Sequence, residues 1–212
     1  MGSDKMIKVL ALIIGAEACL VMAGWIFGID SLTRILPGGI NMKFPTAFSF
    51  FLSALGLYFI YRRSRYNCEY SWVTLPAIAM TILLVMGAIL VSYLTGGFTG
   101  IENLFVIMDA PIYSQGSGLP ALNTIASFIL FGLACLFSLF PDPNIQNKLK
   151  FFSFSIFIIS FIAVIGYAFG LPVLYFKFND AVPMALNTAL SFILLGWGLV
   201  IISKIKKPRD ES

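Results

Sequence analysis

The sequence predicts an all-α polytopic membrane protein. It reads as a single transmembrane domain, residues 1–212, with six transmembrane helices built as three parallel-repeated helical hairpins and both termini cytoplasmic. Three observations predict it. Only 11% of the residues are charged and 59% are hydrophobic, whereas a soluble domain carries charge on about 25% of its residues. Apolar runs long enough to cross a bilayer recur along the chain. One five-residue pattern is written three times. A mean hydropathy of +0.93 excludes an ordinary water-soluble enzyme, and it excludes a disordered chain.

The predicted helices cover 6–28, 45–61, 72–95, 119–140, 151–170 and 182–203. The first is too long for a signal peptide, and no small-residue cleavage site follows it before Asp30, so it is expected to be retained. Pro45, Pro120 and Pro183 stand near the predicted starts of the second, fourth and sixth helices, where a missing amide donor costs little. Charge orients the spans. Lys5, Lys8, Arg62, Arg63, Arg65, Lys148, Lys150, Lys204, Lys206, Lys207 and Arg209 fall on the side of the termini, against Arg34, Lys43 and Lys177 on the other. The positive-inside rule therefore predicts cytoplasmic termini in a cell membrane, with loops 29–44, 96–118 and 171–181 facing outward. The basic excess, with a pI near 9.0, faces anionic lipid in this reading and implies no nucleic-acid partner.

The even helices share T-x-x-S-F as Thr46–Phe50, Thr124–Phe128 and Thr188–Phe192. The chain's own composition would supply roughly 0.06 copies by chance, so three define a repeat. In the same frame Asn123 matches Asn187, with Pro45 in the first copy, and Ala54 matches Gly132 and Gly196. The odd helices end on small-aromatic-x-x-Gly, at Gly24-Trp25, Ser92-Tyr93 and Gly166-Tyr167. From the last glycine of this ending to the threonine is 18 residues in copies one and three and 28 in copy two, an insertion of about ten. The repeat units are the hairpins 6–61, 72–140 and 151–203. Two expectations follow. Small-x-x-x-small would let helix backbones approach closely. Alternatively, Trp25, Tyr93, Tyr167, Asn123, Asn187, Thr46, Ser49, Thr124, Ser127, Thr188 and Ser191 would converge on an outward-facing pocket for a small ligand.

Glu17 departs from the repeat, because Val85 and Ile159 occupy its frame position in the other copies. A carboxyl at mid-membrane costs about 2.5–3.5 kcal/mol on insertion scales, so it requires a hydroxyl or amide partner and is a candidate ligand residue. Asp30, Glu102, Asp109 and Asp180 read as solvated loop charges, and the glycine-rich runs 96–100 and 114–118 read as flexible. Histidine is absent, and Cys19, Cys68 and Cys135 show no ligand spacing. No catalytic residue, metal site or cofactor is therefore predicted.

The third copy, Gly166–Tyr175 followed by Met184–Phe192, resembles the multi-helix amino-terminal membrane regions of bacterial and archaeal sensor histidine kinases and diguanylate cyclases. Their pattern looks like Y-x-[FY]-G…L-Y…M-A-x-x-T-A-x-x-F-x-L-x-G. The likeness is strongest over 163–203, and the first copy retains Met42 four residues before Thr46, where copy two has Pro120. The resemblance implies a sensory input domain of a two-component or related system. It would bind an outer or lipid-borne ligand such as a quinone, signal through the sixth helix to a cytoplasmic transmitter, and work as a homodimer. No transmitter segment lies within the sequence, so the expectation is an input region of a longer protein or a stand-alone relative, itself not an enzyme. The alternative is a small carrier or channel of three hairpins, though P-x-[DE]-x-x-[KR] signatures are lacking and the helices carry little charge.

Overall fold

The computed structural model describes residues 2–66, 68–95, 119–140, 142–175 and 182–205. Among these the fold is all-helical: α1 (Ser3–Phe27), α2 (Phe44–Tyr66), α3 (Ser71–Thr95), α4 (Leu122–Phe137), α5 (Ile145–Ala168) and α6 (Leu186–Ser203), with short 3-10 turns at Asp30–Leu32 and Pro172–Tyr175. Five of the helices are long and apolar enough to cross a membrane, and α4 is a shorter apolar helix. Large apolar side chains cover the outside, among them Leu12, Val73, Leu84, Leu94 and Phe154, each more than 60% exposed. A surface of that kind suits hydrocarbon rather than water, so the chain is consistent with a membrane-embedded helical protein.

Element boundaries differ from the sequence expectation for local reasons. α2 runs on through Arg62, Arg63 and Arg65, because cations are favoured at a helix C-terminus. Arg63 donates from Nε to the Ser138 carbonyl at 3.1 Å and from Nη2 to the Leu139 carbonyl at 2.7 Å. It thereby caps the end of α4 and lies 4.0 Å over the Trp72 ring. α4 and α6 begin later than predicted. Pro120 and Pro183 precede Ala121 and Ala185, which are extended N-cap residues, so of the three prolines only Pro45 lies within a first helical turn.

Packing repeats three times. α1 lies on α2 and α6, α3 on α4 and α2, and α5 on α6 and α4. The even helices form an inner group and the odd helices seal its seams. Two-thirds of the apolar stretch of α2 and of α6 is buried, against about one-third or less in α1, α3 and α5. At the centre stand the three motif phenylalanines. Phe50, Phe128 and Phe192 form a nearly equilateral triangle with centroid separations of 4.8, 4.6 and 4.7 Å and ring planes inclined by 56–63°. All three are essentially inaccessible. Edge-to-face geometry of this kind adds about 0.5–1.5 kcal/mol per pair beyond area burial.

Candidate functional site

The aromatic at the end of each odd helix closes its own hairpin. Trp25 Nε1 donates to the Met42 carbonyl at 2.8 Å, Tyr93 Oη to the Pro120 carbonyl at 2.8 Å, and Tyr167 Oη to the Met184 carbonyl at 2.6 Å. Each acceptor stands four residues before the motif threonine. The carbonyl at that point needs a donor, because the entry segment precedes the helical ladder. Beside these clasps the expected helix–helix role of the small residues is replaced by a turn. A Cβ on Gly24 would lie 2.8 Å from the Leu32 Cβ, and one on Gly166 would lie 2.7 Å from the Leu174 Cβ. Gly28 and Gly170 adopt φ of 68° and 63°, and the next amides bond back to Gly24 and Gly166, both at 2.8 Å. These are left-handed helix ends, where glycine avoids the Cβ penalty. Ser92 is buried, and Gly96 lies outside the described residues.

Thr46, Thr124 and Thr188 do come together. With Asn41, Lys43 and Met184 they line a space of about 10 Å³ above the phenylalanine triangle, about one probe sphere and so at the lower limit for one water. Burial lowers the pKa of the Lys43 ammonium from its ordinary value. Trp25, Tyr93, Tyr167, Asn123 and Asn187 do not share this space. They are engaged in the clasps and in links between hairpins. Asn187 Nδ2 donates to the Thr33 carbonyl at 3.2 Å, and that oxygen also accepts the Met42 amide at 2.8 Å. Asn123 Nδ2 lies 2.9 Å from Met184 Sδ. Around the axis these five side chains therefore bond to backbone carbonyls and to Met184 Sδ rather than to one another.

The three motif serines diverge. Ser127 donates back to the Asn123 carbonyl at 2.8 Å. Ser49 Oγ is buried without a hydrogen-bond partner among the described residues. Ser191 donates to the Glu17 carboxylate, joining α6 to α1. Glu17 is half-buried, so this seam combines a polar pair with access from the bilayer side. Between α1, α5 and α6, toward the end of the fold that holds residue 2 and residue 205, a crevice of about 800 Å³ is lined by Asp4, Met6, Phe154, Trp197, Val200 and Lys204.

Asp30 was expected to be a solvated charge. Instead it organises the first loop. It pairs with Arg34 and accepts from Asn41 Nδ2 at 2.9 Å. Glu102, Asp109, Asp180, Lys177 and both glycine-rich runs lie outside the described residues. Cys19, Cys68 and Cys135 are free thiols, and no metal-holding cluster occurs among the described residues.

Sequence reasoning missed Thr33, a wholly buried residue whose carbonyl joins two hairpins; no side-chain pattern signals a backbone acceptor. It also assigned no role to the motif phenylalanines, although their threefold recurrence was the available signal. Scans of protein-family models, curated proteins and solved structures match nothing in this chain.

Proposed function

We propose that the chain is a membrane-embedded sensory input module that engages an outer or lipid-borne small ligand at the α1–α6 seam and relays the change through α6 to a cytoplasmic transmitter. The carrying observation is the Glu17–Ser191 hydrogen bond. It couples the one motif serine that reaches another helix to a carboxyl that the repeat does not require. Ser191 belongs to α6, whose far end borders the 800 Å³ crevice. A ligand that competes for either partner binds the two seam arrangements unequally, which is the condition for shifting their populations. The resemblance of 163–203 to sensor input regions supports the same reading, as does the positive-inside pattern that assigns both termini to the cytoplasm of a multi-pass cell-membrane protein. The closed phenylalanine triangle favours this reading over a carrier or channel, because rings at 4.6–4.8 Å leave no path for a solute between them.

The test is a pair of spin labels at Met6 and Val200 in lipid nanodiscs, with an alkyl benzoquinone and a pH series as probes. The expected result is a change in label separation that Glu17→Gln and Ser191→Ala both suppress while the helical content stays unchanged. A separation indifferent to the probes, or unaltered responses in both variants, removes the seam from the mechanism.

A further inference from the structure

The three hairpins are not equally filled. Gly15, Leu83 and Phe157 hold the same place in the repeat, two residues before Glu17, Val85 and Ile159. Each faces the small residue of its inner helix. Leu83 carbons come within 3.0 Å of a Cβ built on Gly132, and the Phe157 Cβ lies 3.5 Å from one built on Gly196. In the first hairpin a Cβ built on Gly15 meets only the Ala54 Cβ, at 3.5 Å. Where its siblings place a large side chain, copy one therefore leaves space. That space is an outward groove of about 580 Å³ between α1 and α2, with Gly15, Ala16, Cys19, Phe51 and Ala54 among its walls.

The groove has one charged end. Lys8 and Tyr58 belong to its lining. Arg62 follows one turn after Tyr58, with Nη1 3.4 Å from the Tyr58 hydroxyl. Lys8 is seven residues from Gly15 on α1, and Arg62 is eight from Ala54 on the antiparallel α2. At 1.5 Å per residue both cations lie about 10–12 Å from the Gly15–Ala54 contact, and so at one level. Neither forms an ion pair among the described residues. From Lys8 to Cys19 the groove runs about 16 Å by the same rise, close to one leaflet of hydrocarbon at about 15 Å, half the bilayer core.

We infer that this groove is a binding site for one anionic phospholipid. An acyl chain lies along Gly15 and Ala54, and the headgroup phosphate lies between Lys8 and Arg62. The length matches one leaflet, and the polar end carries the sign that a phosphate requires. The inference is independent of the sensory reading, since it uses neither Glu17 nor α6.

The full chain, purified in mild detergent, would be titrated with phosphatidylglycerol and with phosphatidylcholine and read by native mass spectrometry. Wild type is expected to retain one phosphatidylglycerol with about tenfold preference over phosphatidylcholine, since both carry the phosphate but phosphatidylcholine adds a trimethylammonium that the two cations repel. Gly15→Leu, which gives copy one the side chain of copy two, is expected to lose the retained lipid while keeping its helical circular dichroism. The double variant Lys8→Gln, Arg62→Gln is expected to keep chain binding but bring the two headgroups within about twofold. If Gly15→Leu fails to fold, the double variant decides alone. Equal retention of both lipids by wild type, or undiminished phosphatidylglycerol preference in the double variant, overturns the site.

Discussion

Phe128 and Tyr167 carry different kinds of energy although both belong to the repeat. Phe128 touches Phe50 and Phe192 and has no exposed surface. Truncation to alanine removes two ring contacts and opens a cavity at the junction of three helices, so Phe128→Ala is expected to cost about 3–5 kcal/mol. Tyr167→Phe keeps the ring stacked on Tyr175 at 4.4 Å and deletes only the bond to the Met184 carbonyl. Its expected cost is about 1 kcal/mol. Reversible unfolding in mixed detergent micelles checks both, and equal costs for the two would contradict the division between core and clasp.

At the scale of the element, the turn from α4 to α5 has its own electrostatics. Asp142 accepts from Lys148 Nζ at 2.5 Å and from the Asn144 amide at 2.7 Å. The Lys148 bond, reinforced by the Asn144 amide, holds its carboxyl below the ordinary aspartate value. A depressed folded pKa means that the contribution is present above the ordinary aspartate range, near pH 4, and fades as pH falls through the lowered value. Asp142→Asn is therefore expected to lower the melting temperature slightly at pH 7. The difference from wild type is expected to vanish in strong acid, as read by paired thermal melts from pH 7 to pH 2. A difference that persists there would assign the residue a packing role instead. The odd-helix ends show the complementary point: Gly24 and Gly166 are fixed by the turns that fold back over them.

At the scale of the whole molecule, three hairpins enclose a closed aromatic axis, and what distinguishes them lies at their seams. The first hairpin alone has Glu17 and the open groove at Gly15, so copy one carries the features that the repeat does not demand. Orientation can be checked directly. In a variant with the native cysteines replaced, single cysteines at Ser3 and Ser64 are expected to react with an impermeant maleimide only after the cytoplasmic side is opened. One at Ile35 is expected to react in intact cells. Ser3 reacting in intact cells, with Ile35 reacting only after opening, would reverse the charge-based topology, and labelling of both from one side would mean that α1 does not cross.

Apolar runs were enough, by themselves, to determine an all-helical fold of six helices, and the threefold T-x-x-S-F set Glu17 outside the repeat in the sequence itself. Each depends on local hydrophobic length or on repetition along the chain. They could not decide that the rings of Trp25, Tyr93 and Tyr167 would bond to carbonyls 17, 27 and 17 residues away, because a backbone acceptor has no residue signature. Nor could they decide that Ser191 rather than Ser49 would meet Glu17. Equivalent serines share the T-x-x-S-F frame, and the packing of α1 against α6 tells them apart. The groove was half legible: Gly15 stands in register with Leu83 and Phe157, but the space exists because α1 and α2 meet at Ala54 without filling it.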